Sequence, residues 1–96
     1  MSQIANVNVK QEWTTVKSLV SDDWDFTADV LYQIENTGNS DCFLVESATE
    51  PSGDTRAIGV CLQKGGNIVR YIKRTTPLWA TASGDNAWLN ITAIGD

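Results

Sequence analysis

Turn signals punctuate this chain between short β-rich runs, the pattern of an all-β fold. They are SDD at 21–23, NTGNSD at 36–41, TEPSGD at 49–54, KGGN at 64–67 and SGDN at 83–86. Gly, Asn, Asp, Ser and Pro each favour turns for a backbone reason of their own. The runs between them, at 4–9, 13–19, 28–36, 42–47, 57–63, 67–73, 77–82 and 87–94, are rich in β-formers. No stretch of about ten residues carries apolar positions at helical spacing. The pattern predicts an all-β chain: a compact antiparallel β-sandwich or small barrel of about 7–8 strands. At 96 residues it is expected to form a single domain over 1–96.

Two of the turns echo each other. SGDTRAIGV and SGDNAWLNI share Ser-Gly-Asp, reach Ala57 and Ala87, and then run into apolar residues. Their flanks differ, since Pro51 and Arg56 have no counterpart at the second copy. The echo therefore reads as one turn solution used twice. KGGN suits a tight hairpin, because Gly65 and Gly66 both tolerate positive φ. If SGDN also closes a hairpin with Ala82 opposite Ala87, then Ala80 faces Leu89 and Leu78 faces Ile91. That is an apolar face suited to a core. The opposite face would hold Trp79, Thr81, Trp88 and Asn90, with the two indoles in diagonal reach. Such a face serves as a second core layer, a subunit contact or a sugar-stacking platform. Trp24, within SDDWDF, reads as a partly exposed loop anchor.

Chemistry-bearing motifs are sparse. Histidine is absent, which removes the commonest general base and transition-metal ligand. GxxxxGK[ST] and GxGxxG are absent too. Asp22, Asp23, Asp25 and Asp29 cluster, but lack the spacing and central Gly of a calcium loop. No catalytic residue, cofactor or metal is expected, and the chain reads as no enzyme. Cys42 and Cys61 lie in the apolar runs CFLV and GVCL and read as two buried free thiols.

The net charge is −5, which disfavours a nucleic-acid partner. No apolar run approaches the roughly 20 residues of a membrane span, and MSQIANVNVK has no apolar signal-peptide core. The charge is unevenly spread. Lys64, Arg70, Lys73 and Arg74 fall in a segment without Asp or Glu, while residues 22–54 carry Asp and Glu but no Lys or Arg. A basic hairpin meeting an acidic neighbour would give salt-sensitive assembly.

The order of QIENTGNSDCFLVES, TEPSGDTRAIGVCLQKGG and PLWATASGDNAWLNI resembles the small all-β virion structural proteins of tailed bacteriophages. Ile34, Asn36, Gly38, Val45, Pro51, Gly59, Leu78, Trp79, Ala80, Ser83, Gly84 and Ala87 carry the resemblance, which spans roughly residues 28–94. It implies a β-sandwich and a role as a capsid decoration, accessory or head/tail-fibre-associated protein. It implies other virion proteins as partners and a virion location after assembly in the host cytoplasm, a reducing compartment that suits free thiols. It brings no catalytic residues. The matching positions look like fold residues.

Two functions follow as expectations. The first is non-enzymatic virion assembly, with a homo-oligomer, a trimer as first guess. Its candidate interface is Trp79, Trp88, Thr81, Asn90, Lys64, Arg70, Lys73 and Arg74. The second is a carbohydrate-binding module in which Trp79 or Trp88, with Asn90, meets a host-surface glycan. It requires at least one exposed indole.

Overall fold

The structure, a computed structural model, describes residues 2–21, 23–51, 60–73 and 76–94. Eight strands run in the order β1 Ser2–Val9, β2 Thr14–Thr15, β3 Leu31–Asn36, β4 Cys42–Glu46, β5 Val60–Leu62, β6 Asn67–Ile72, β7 Leu78–Ala82 and β8 Ala87–Ala93. A one-turn helix α1, Val16–Val20, follows β2. The strands form two four-stranded antiparallel sheets, ordered β1-β8-β3-β6 and β2-β7-β4-β5. The expected β-sandwich is what the chain forms. Within it β1 pairs with β8, β2 with β7, β3 with β6 and β4 with β5. Four nested antiparallel pairs wound around one core are the jelly-roll arrangement.

Alternation drives the packing. In β8, Ala87, Leu89, Ile91 and Ala93 are buried while Trp88, Asn90 and Thr92 point away. In β7, Leu78, Ala80 and Ala82 are buried. These join Val9, Val16, Ile34, Leu44 and Leu62 in one buried cluster. At one end Phe26 sits edge-on to Trp24, Tyr32 and Tyr71, with ring centroids 4.8–4.9 Å apart. Trp24 is half-buried, as a loop anchor should be.

The pairing departs from the expected hairpin. Ala82 lies opposite Cys42, and Ala87 lies opposite Val9, in the other sheet. SGDN is therefore an arch between sheets. The same apolar positions serve the core because the two strands reach it from opposite sides. A period of two fixes which side chains are buried, not which strand lies alongside. KGGN behaves likewise. Gly65 and Gly66 do take positive φ, 90° and 105°, yet β5 pairs with β4 and β6 with β3. Their amides bond instead to the β3 end, Gly66 N–H to Asn36 O at 2.8 Å and Gly65 N–H to Gly38 O at 3.3 Å.

Two further expectations are corrected. The run 13–19 is a strand only at Thr14–Thr15. Val16, Leu19 and Val20 then stand at i, i+3 and i+4, and all three pack on the core from one helical turn. Cys61 is exposed, since β5 turns Leu62 inward and Cys61 outward; Cys42 is buried, and both are free. The first Ser-Gly-Asp copy, at 52–54, lies outside the described residues.

The second copy acts as a clasp. Ser83 N–H bonds Asp41 O at 2.9 Å, and Asp41 N–H bonds Ser83 Oγ at 3.1 Å. Asn86 O accepts the amides of Asn39 and Ser40. The arch thereby ties the turn between β3 and β4 to the start of β8.

Candidate interaction surfaces

The outer faces of the two sheets separate residues that the hairpin reading had put together. Trp79 and Thr81 belong to β7, in the β2-β7-β4-β5 sheet; Trp88 and Asn90 belong to β8, in the other. The two indoles do not share a face. Trp79 is half-buried and donates its Nε1–H to Ser47 O at 2.9 Å. Thr81 is 1% exposed. Both are built into the sandwich. Trp88 is 40% exposed, with Asn8 its cross-strand neighbour on β1 and Asn90 two residues along the same face.

The basic residues are also dispersed. Lys73 Nζ forms an ion pair with Asp25, so the acidic and basic segments meet within one chain. The Lys64 main-chain amide donates to Asp41 Oδ1 at 3.0 Å, a contact that does not involve its ammonium. Lys64 and Arg70 are exposed, and Arg74 lies outside the described residues. Partial burial acts to raise the Asp25 carboxyl, but the Lys73 hydrogen bond, the Phe26 amide and the charges of Lys73 and Lys17 outweigh it. The net shift is downward from 3.8. A lowered carboxyl stabilises the fold above its unfolded value and loses that contribution as pH falls through the lowered one. Asp25→Asn is therefore expected to cost less than about 1 kcal/mol at pH 7, because the pair is solvent-screened. The gap from wild type should close as the pH drops below 3.8, as urea titrations at several pH values would show.

Burial, with a small contribution from Cys61, pushes the Cys42 thiol up to about 12. Only thiolates react readily. Under native conditions at pH 8, one equivalent of iodoacetamide is expected to modify Cys61. Cys42 should follow only in denaturant. Mass spectrometry of the digested protein reads this directly, and equal labelling of both would refute it.

A region the alternation reading overlooked is the open side of the sandwich. β5 and β6 are the last strands of their sheets, and a cleft of about 130 Å³ between them is lined by Leu44, Val45, Val60, Val69 and Tyr71, with Glu46 and Arg70 at the same cleft. Val60, at this cleft, is 51% exposed, and on the outward side of β6 Ile68 and Ile72 are 48% and 42% exposed. The signal was present in NIVRYI. Val69 and Tyr71 face the core while Ile68 and Ile72 face out, so this strand is apolar on both sides. A second cavity, of about 220 Å³, lies among Thr15, Lys17, Asp25, Phe26, Tyr71 and Lys73. Burial and the neighbouring Glu46, Asp25 and Tyr32 push the Tyr71 hydroxyl up to about 12, so it stays protonated at neutral pH.

Among the described residues, no three Cys, Asp or Glu side chains are placed to hold a metal ion. No helix there is long and apolar enough to cross a membrane. No protein-family model, no curated protein and no solved structure matches the chain.

Proposed function

We propose that this protein is a non-enzymatic structural component of a tailed-bacteriophage particle, acting by protein–protein assembly. One observation carries the assembly role. Of the four large apolar side chains exposed among the described residues, three lie on β5 and β6, the outermost strands of their sheets among those residues. An edge strand offers free N–H and C=O groups, and natural edges are usually blunted by charge, Pro or a bulge. Here Arg70 is the one charge along β6, set between Ile68 and Ile72. Such an edge fits a partner that covers it, another virion protein or a second copy in a symmetric oligomer. A trimer is the first arrangement to test. The particle context rests on the likeness of QIENTGNSDCFLVES and PLWATASGDNAWLNI to phage virion proteins. The jelly-roll winding, frequent in capsid domains, supports it by analogy.

Light scattering and analytical ultracentrifugation, with the protein alone and mixed with purified particles, test this reading. The wild type is expected to self-associate or bind the particle, and Ile68→Lys with Ile72→Lys to abolish it. A strict monomer that also ignores the particle overturns the proposal. If Arg70 and Lys64 meet acidic residues of a neighbour, association weakens as salt rises.

A further inference from the structure

The outer face of β1-β8-β3 differs in chemistry from the β5–β6 edge. Register sets Asn8 beside Trp88, Asn6 and Glu35 on either side of Asn90, and Gln33 beside Thr92. Alternation turns them away from the core, since Val7, Ile34, Leu89 and Ile91 between them are buried. A single exposed indole therefore lies among side-chain amides. Glu35 is the one charge these three strands add to the face.

Two of the amides are held before any ligand arrives. Asn8 Nδ2 donates to the main-chain oxygens of Asp85, at 3.1 Å, and Ala87, at 2.9 Å. Both of its protons are used, which leaves Oδ1 as its free acceptor. Thr92 Oγ1 bonds Asn90 Oδ1 at 3.1 Å, so Nδ2 is the donor end of Asn90. An acceptor and a donor thus share the face of Trp88, one opposite it on β1 and one two residues along β8.

The charge and polarity of the face select among ligand classes. A nucleic acid needs several cations, and among the described strands this sheet presents only Arg70, at its far edge opposite Gln33. A protein partner favours contiguous apolar area around its aromatic anchor, whereas the register sets Asn8 opposite Trp88 and Asn90 two residues along its strand. A neutral polyhydroxyl compound fits: its C–H face lies on the indole, and its hydroxyls both donate and accept. We propose that the Trp88 face of the β1-β8-β3 sheet is a binding surface for a neutral saccharide. Trp88 stacks on a sugar ring, Asn8 Oδ1 and Asn90 Nδ2 bond its hydroxyls, and Glu35 accepts at the margin. Trp88, Asn8 and Asn90 lie on β1 and β8, one strand removed from β6, while Glu35 stands opposite Ile68 and Gln33 opposite Arg70, so a partner covering β6 would adjoin only the margin of this face.

The test is a broad array of neutral oligosaccharides with heparin as charged control, followed by titration calorimetry of the hits. Binding to a neutral glycan is expected. Trp88→Ala and Asn90→Ala should each weaken it by roughly tenfold or more, with Trp79→Phe unchanged. Since Trp88 is partly exposed, its variant should keep its thermal melt. Asn90→Ala gives a second reading if it does not. No neutral hit on the array, a preference for heparin, or binding that survives both Trp88→Ala and Asn90→Ala overturns the proposal. So does Trp88-dependent capture of a particle protein without saccharide binding.

Discussion

Asn36→Ala is expected to lower stability by about 3–5 kcal/mol, most of what a small domain has to lose. Asn36 is 0% exposed and makes three bonds to main chain. Its Nδ2 donates to Ser40 O at 2.8 Å and to Leu62 O at 2.9 Å, and its Oδ1 accepts the Gly38 amide at 3.1 Å. One side chain thereby holds the turn after β3 and links it to β5 in the facing sheet. Alanine would remove both ends at once, and each buried group left unpaired costs about 1–3 kcal/mol. Asn36→Asp should be at least as damaging, because it keeps the acceptor, loses the donors and buries a charge. Urea denaturation measures both; an alanine variant within about 1 kcal/mol of wild type would show that the side chain is not the link described.

Gly38→Ala should rank beside it, at about 3 kcal/mol or more. The reason is space rather than backbone angle. A Cβ at Gly38 would overlap Asn86 O and sit 2.7 Å from Trp88 N, both main chain. Admitting it means separating this turn from β8, where Thr37 N–H meets Trp88 O at 2.9 Å and Asn39 N–H meets Asn86 O at 2.7 Å. Gly65 makes the control. A Cβ there meets nothing within 4 Å, and the penalty comes only from its φ of 90°, about 1 kcal/mol. Thermal melts should place Gly38→Ala roughly 12–24 °C below wild type and Gly65→Ala much closer. The reverse order would contradict the close approach.

Asn36 and Gly38 were visible in the sequence as fold positions, within the segment that resembles phage virion proteins. What they hold was not. Burial along β7 and β8 was legible because alternation is local: Leu78, Ala80, Ala82, Ala87, Leu89 and Ile91 are all in the core. Sheet membership was not, because strands adjacent in sequence can pair or face each other with the same pattern. That difference split Trp79 from Trp88. The amides around Trp88 illustrate the same limit. Asn90 lies two residues away on the same strand, within local spacing, but Asn6 and Asn8 arrive from β1, more than 75 residues earlier. The Asp25–Lys73 contact spans 48 residues, and no local spacing announces it.

The place of β8 between β1 and β3 governs how the molecule must be made. As the last of the eight strands to leave the ribosome, it completes ladders with two strands formed long before it. Until it arrives, β1 and β3 face an empty slot in their sheet. Native pairs such as Ser2 with Ala93 join residues 91 apart, and such distant closures put folding in the millisecond-to-second range. The waiting slot is also one that the β8 of a second molecule fits equally well. Crowded synthesis of many copies therefore sets correct closure in competition with strand exchange.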